Sequence, residues 1–397
     1  MSAVGDRLEL TIGPVAHGGV CVARHEGRVV FVRHTLPGER VVARLIDVRS
    51  RFARADVIDV LDPSPHRVAP ACPYAIPGGC GGCDWQHAAA AYQRQLKSTV
   101  VGEQLTRLAG LQREVAVEPT GTDLGWRTRV QFAVDDQGRA GFHPWRSHAV
   151  LPVERCAIAH PAVEALDIEG RRWPAARAVE AAVGVATGSH SVLVTRSDGR
   201  RRLIGDRRLI EVVRGRRFRL RPTTFWQVHP AAADLLIGAI VSGVTPAPGE
   251  RVLDLYAGAG LFAAFLAESV GSAGRVVAVE GDRGAAADAS VNLAEFDTVE
   301  VRRADVTEFL AAAADGRERF DIVVADPPRT GLGPPNARRI CALRPRAIGY
   351  VACDPAALAR DLAVFSEAGY RAVSVRAFDI FPQTHHVECV AILRPEP

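Results

Sequence analysis

From residue 251 onward the chain alternates short apolar runs with helix-like stretches: RVLDLY, LFAAFLAESV, RVVAVEG, GAAADASVNLAEF, VEVRRAD, FDIVVADPP and AIGYVAC. When each strand is followed by a helix, the chain can do little except build a mostly parallel sheet with helices on both faces. In that α/β architecture, Rossmann-like in outline, functional side chains gather where strands end. The unit is expected to span 221–397, and its strand ends carry the residues of interest below.

The 397 residues ahead of and within this unit suffice for three cores. Residues 7–60 hold five short apolar runs separated by HGG, HEG and LPGE, the pattern of a small OB-like β-barrel over 1–61. After the joint DPSPH comes a β-rich central domain, 62–220, with a helix at about 88–110 whose Tyr92, Leu96, Val100 and Leu105 recur at near-helical spacing. That face is expected to pack on the catalytic domain. Net charge is +4 but uneven: 1–245 hold 33 basic and 24 acidic residues, 246–397 hold 16 and 21. A basic front joined to an acidic back suits a nucleic-acid grip carrying a catalytic unit. Lys97 is the only lysine, so arginine abundance is also a general bias of the chain. No apolar run approaches the roughly 20 residues that cross a bilayer, and no leader opens the sequence, so a cytoplasmic protein is expected.

The segment VLDLYAGAG ends a strand in a glycine turn where backbone can approach a ligand, with Asp254 and Tyr256 beside it. Glu280 closes the next strand, where a carboxylate can accept ribose hydroxyls, and Asp305 ends the one after, facing an adenine edge. A nicotinamide dinucleotide would share these features, but it has no use for the later DPPR, ACDP and HHVE segments. S-adenosylmethionine (SAM) is therefore the expected cofactor. Asp326 stands at the mouth of the fourth strand in ADPPR, whose prolines stiffen a base-holding loop. Cys353 in YVACDP and Glu388 in THHVECV then supply a thiol and a carboxylate. Such a pair suits methylation of a carbon that is a poor nucleophile: the thiol adds to a pyrimidine ring, and the carboxylate later removes a proton.

These segments, with TTFWQVHP at 223–230, YVACDPAALARD and FPQTHHVECV, resemble those of the RNA 5-methyluridine methyltransferase family. The resemblance implies SAM contacts at Gln227, Tyr256, Gly258, Glu280 and Asp326, a nucleophile at Cys353 and a base at Glu388. It implies that the barrel is a TRAM domain and that the partner is RNA. The barrel and the cysteines favour ribosomal over transfer RNA, 23S rRNA in particular. Cytosine C5 methylation and a non-catalytic RNA-binding factor on the same fold are the competing readings. No membrane and no obligate protein partner is expected, and the protein is expected to be a monomer.

Four of the eight cysteines group as Cys72, Cys80, Cys83 and Cys156. The resemblance makes them ligands of a [4Fe-4S] cluster, although four thiolates also suit one tetrahedral zinc ion. Seven residues separate Cys72 from Cys80, two more than the commoner gap in the family, and AIPGG is expected to bulge out. Cys21, Cys341 and Cys389 are isolated and read as small buried apolar residues. Arg127, Arg129, Phe142 and His143 are candidates for gripping RNA, and His386 for lining the site.

Overall fold

The computed structural model describes residues 3–396. Its first unit is a five-stranded sheet of β1 (Arg7–Thr11), β2 (Cys21–His25), β3 (Arg28–Arg33), β4 (Arg40–Val48) and β5 (Phe52–Asp62). The order is β1-β4-β5-β3-β2, with β3 and β5 parallel and the other pairs antiparallel. Alternate residues of all five strands, among them Leu10, Ala23, Val32, Leu45 and Ala55, share one core. A single sheet can bury one face in this way only by wrapping around it. The core is completed from outside by Trp85, Ala88, Leu96 and Val100.

The last two of those residues lie on α1 (Ala90–Ala109), which has two partners. Contrary to expectation, Tyr92, Leu96 and Val100, toward its start, seal the barrel, while Val101 and Leu105 enter the core of the C-terminal unit. The strand after it, β6 (Val117–Glu118), joins the edge of the C-terminal sheet. Residues 90–118 therefore weld the barrel to the α/β unit.

The middle of the chain forms a second sheet from β7 (Arg129–Val134), β8 (Ala140–Phe142), β9 (Leu151–Pro152), then, after the short helix α2 (Pro161–Glu164), β10 (Ala176–Gly184), β11 (Ser189–Arg196) and β12 (Arg201–Gly205). Its order is β12-β11-β10-β7-β8-β9, antiparallel throughout. A separate hairpin, β13 (Leu209–Val213) and β14 (Arg216–Leu220), packs Leu209, Phe218 and Leu220 into the core of the α/β unit. Its alternation looks like more of the central sheet in sequence, but its buried face belongs to the next unit.

That unit runs α3 (Ala232–Val244), β15 (Arg251–Leu255), α4 (Leu261–Val270), β16 (Arg275–Glu280), α5 (Arg283–Asn292), β17 (Val299–Arg303), α6 (Val306–Asp315), β18 (Ile322–Ala325), α7 (Gly333–Ala342), β19 (Ala347–Ala352), α8 (Pro355–Glu367), β20 (Tyr370–Phe378) and β21 (Glu388–Pro395). Strand order is β17-β16-β15-β18-β19-β21-β20-β6. The first five are parallel, and β21 enters antiparallel to both β19 and β20. Three of the strand-to-helix turns end in an aspartate that caps the next helix: Asp282 accepts from Ala285 N, Asp305 from Thr307 N and Glu308 N, and Asp354 from Ala357 N. A short acceptor there satisfies N–H groups left free by the helix start. Among the described residues no helix is long and apolar enough to cross a membrane.

Candidate active site

The antiparallel entry of β21 creates the site. Ala352 pairs with Cys389, so the next step in register sets Cys353, just past β19, opposite Glu388 at the start of β21. Cross-strand neighbours have Cβ atoms roughly 4.5–5.5 Å apart. Cys353 is half-buried and Glu388 is buried. Asp326, one residue past β18, comes from the strand on the other side of β19.

These groups crowd negative charge into a poorly solvated corner. Burial pushes the Cys353 thiol up to about 12, with Glu388 and Asp326 adding to the shift and Arg329 opposing it. Burial also raises Asp326 to about 7. Glu388 lies well above the ordinary carboxylate range, from burial first and Asp326 second. The thiol is therefore held protonated at rest, and Glu388 is a far stronger base than a solvated glutamate.

The glycine loop lies at the ends of β15 and β16. Asp254 is fully buried; its Oδ2 accepts from Ala263 N at 2.9 Å, its Oδ1 has no partner, and burial raises it to about 8. Tyr256 adopts a left-handed φ of 60°, and Gly258 and Gly260 follow at 55° and 88°. At Gly260 the left-handed φ would strain any side chain, and a Cβ there would also press on the Leu293 side chain at 2.8 Å. Glu280 braces the turn, accepting from Gly258 N at 2.8 Å and from Asp282 N at 2.7 Å on its two oxygens. Each oxygen keeps acceptor capacity for a ribose hydroxyl. Asp305 is exposed and spends Oδ1 on its helix cap, leaving Oδ2 free. Gln227 is buried in a segment held by the central sheet: Thr128 N donates to Val228 O at 2.9 Å and Arg129 Nη1 to Thr224 O at 2.6 Å.

Cys72, Cys80, Cys83 and Cys156 all line one cavity of about 260 Å³ with Ala75, Arg127, Phe142 and Ile158. Among the described residues, no group of three or more His, Cys, Asp and Glu side chains stands ready to hold a metal ion. Burial raises Cys80, Cys83 and Cys156, the last to about 11. The 75–79 segment loops outward, its neck closed by Cys80 N donating to Tyr74 O at 2.8 Å and its tip exposing Ile76. Of the isolated cysteines, Cys21 and Cys389 are buried and Cys341 is half-buried.

Two of the candidate RNA contacts are corrected. Arg129 is turned inward, with Nε and Nη2 buried and unpartnered near Glu211, and burial lowers it to about 10. Phe142 packs on Phe132 at 5.1 Å. Phe142 joins the face of the central sheet that packs on Phe132, whereas Arg129, in the opposite phase to Phe132, is covered from the other face by Glu211 of β13 and the Thr224 segment. Arg127 lines the cysteine cavity, while His143 is exposed. His386 is kept neutral, lowered to about 3 by burial, with its ring 4.1 Å from that of His385.

A supporting set escaped the apolar pattern. Gln93 donates to Gln383 Oε1 at 2.9 Å and its own Oε1 accepts from Gln383 N at 2.9 Å. Lys97 Nζ reaches Asp379 Oδ1 at 2.5 Å and Phe381 O at 3.0 Å. Both brace the loop that delivers Glu388. The signal available in sequence was Lys97 itself, one lysine in a chain with 49 basic residues. A thin flexible stem with a compact charge fits a narrow buried slot that a planar guanidinium does not.

Residues 2–58 match the TRAM domain family and residues 173–395 the family described as tRNA (Uracil-5-)-methyltransferase. An uncharacterised RNA methyltransferase of Streptomyces coelicolor is 46% identical, over 100% of this chain and 94% of its own. A 23S rRNA (uracil(1939)-C(5))-methyltransferase of Alkalilimnicola ehrlichii is 34% identical over 98% of this chain and 97% of its own. The crystal structure of Pyrococcus abyssi tRNA (uracil-54, C5)-methyltransferase with S-adenosyl-L-homocysteine superposes with a TM-score of 0.75 at 24% identity. It covers 97% of this chain and 99% of that one, which places the fold.

Proposed function

The chain belongs to the tRNA (uracil-5-)-methyltransferase family, and on that premise we propose that Cys353 and Glu388 carry out methylation of uridine C5 in RNA. The observation that supports this most is the register that sets a thiol opposite a buried carboxylate at the sheet's carboxyl end, with Asp326 alongside. SAM supplies an electrophilic methyl group when bound; the glycine loop, Glu280, Tyr256 and Gln227 are the residues that would hold it, and Asp305 its adenine edge.

Uracil C5 does not attack a methyl sulfonium unaided. Transfer of the Cys353 proton to ionised Asp326 or to solvent, with formation of an S–C6 bond, moves the C5–C6 π electrons toward O4 and makes C5 nucleophilic. C5 would then take the methyl group as the S–CH3 bond of the sulfonium breaks, leaving the neutral thioether, and would still carry its hydrogen. Glu388 takes that proton, the C5–C6 double bond re-forms, and the sulfur leaves C6. A carboxylate raised by burial is the right base for a carbon acid. Asp326, near 7, can accept from N3–H when ionised or donate to O4 when protonated. To reach this corner the base must leave its stack.

We infer that the substrate is ribosomal RNA. What supports this is that the relative named for 23S rRNA is 34% identical over 98% of this chain, whereas the tRNA enzyme, which spans a similar share, is 24% identical. We infer also that Cys72, Cys80, Cys83 and Cys156 hold a [4Fe-4S] cluster. What supports the reading is that all four thiols line one cavity of about 260 Å³, a donor set that suits such a cluster and also a single zinc ion. No redox step is needed in the methylation, so the cluster would hold the 72–83 segment against the central sheet.

The test is a pair of variants on separate rRNA and tRNA pools. Glu388→Gln should form the adduct but fail to resolve it, so a covalent protein–RNA species accumulates; Cys353→Ala should form none. Turnover by Cys353→Ala would refute the mechanism. Methyl incorporation into tRNA alone would move the assignment to the tRNA reading.

A further inference from the structure

The connection between β1 and β2 reaches across to the reactive pair. Its tip is a tight turn, with Gly19 N donating to Ala16 O at 3.1 Å and Ala16 N to Val20 O at 2.7 Å. Gly18 and Gly19 have φ of 91° and 80°. From this turn His17 Nε2 donates to Asp354 Oδ2 at 2.9 Å. Asp354 is the residue after Cys353, and its Oδ1 already caps α8 through Ala357 N at 2.7 Å. With both oxygens engaged, the carboxylate plane is fixed, and so is the backbone that presents the thiol.

The same turn holds the second loop. Gly19 lies so close to His385 that a Cβ on it would stand 2.6 Å from the His385 Cβ. Gly19 O accepts from Trp85 Nε1 at 2.8 Å. The neighbour of that tryptophan, Asp84, takes the His385 ring at 2.7 Å and the His385 N–H at 3.1 Å, and Asp84 N and Trp85 N both donate to Gln383 O at 3.0 Å. One barrel turn thus touches the segment carrying Cys353 and the segment leading into Glu388.

We propose that His17 is a positioning residue for methyl transfer, and that through it the seating of the barrel sets the alignment of Cys353 with Glu388. The inference rests on the reading that Cys353 is the nucleophile. The His17 and Asp354 side chains are 41% and 26% exposed, so their pairing does little for global stability. Its effect is local, on the geometry of the turn, where small displacements of a reacting group are costly. The charged groups acting on His17 are Asp354 and Arg360, both contributed by the α8 side. The bond to Asp354 raises the His17 pKa, with burial and Arg360 opposing. The clamp is therefore strongest with His17 protonated and weakens as pH rises through that raised value.

The experiment compares the full-length protein with His17→Ala and His17→Gln, the latter keeping an N–H donor near the same position. His17→Ala should lower kcat roughly tenfold with KM for RNA within about twofold, and His17→Gln should restore most of kcat. The ratio of wild-type to His17→Gln kcat should fall as pH rises, because only histidine loses its charge. Hydrogen exchange without RNA should quicken at residues 353–358 in His17→Ala. An unchanged kcat, or a rise in KM for RNA alone, overturns the proposal. If Cys353→Ala, run in parallel, keeps turnover, the reaction assignment fails instead. The exchange at 353–358 then decides the clamp by itself, and unchanged exchange overturns it.

Discussion

Replacing Lys97 with methionine tests how the Glu388 loop is held. Methionine fills the aliphatic slot but removes the ammonium that donates to Asp379 Oδ1 and Phe381 O. Both side chains of the ion pair are out of solvent, at 0% and 2% exposure, so Asp379 is left as a buried carboxylate with Arg94 4.0 Å away as its remaining cation. Breaking a buried pair from one side costs about 3–5 kcal/mol, and Arg94 argues for the lower end. At a urea slope of roughly 2–3 kcal/mol per molar, a loss of about 3 kcal/mol moves the midpoint down by about 1 M. Urea unfolding followed by circular dichroism measures it. Adding Asp379→Asn to Lys97→Met should recover at least about 1 kcal/mol, since a neutral amide is less costly to strand than a charge. Because the Asp379–Val387 stretch leads into Glu388, kcat should fall with KM for SAM unchanged. A Lys97→Met protein within about 1 kcal/mol of wild type, or a double variant no more stable than the single, would refute this account of the loop.

Two further outcomes follow from the charge and cysteine geometry. With its pKa near 12, about 10⁻⁴ of the Cys353 thiol is ionised at pH 8, against roughly a quarter for an ordinary cysteine. Alkylation of Cys353 in the ligand-free protein, read by peptide mass mapping, should therefore rise about tenfold per pH unit from 7 to 10; a plateau near pH 8–9 would show that the thiol is ordinary. Anaerobic purification should yield a brown protein with about four irons per chain, lost in Cys156→Ser; a colourless wild-type protein containing one zinc would replace the cluster with the zinc reading.

Much of the fold was legible because each α/β repeat announces itself locally. VLDLYAGAG, VVAVEGD and VVADPP are apolar runs closed by turn residues, and what they say about strand ends does not depend on distant parts of the chain. The five short runs of the barrel were legible for the same reason. The hairpin Leu209–Leu220 was not, because alternation reveals which residues are buried but not which core receives them. Arg129 and Phe142 show the same limit from the other side: exposure to RNA is a property of sheet packing.

By itself the sequence determined the chemical vocabulary of this protein: a glycine loop, a thiol, carboxylates at strand ends and a set of clustered cysteines. Local patterning suffices for that, because a residue's chemistry and its tendency to end a strand are carried by its near neighbours. Only the tertiary structure decided that Cys353 faces Glu388, through an antiparallel strand inserted beside a parallel one, and that a barrel turn from the start of the chain reaches Asp354. Register and domain seating are set by the sum of many distant contacts, and these same contacts, acting through burial and neighbouring charge, raise the thiol and its base far from their ordinary pKa values.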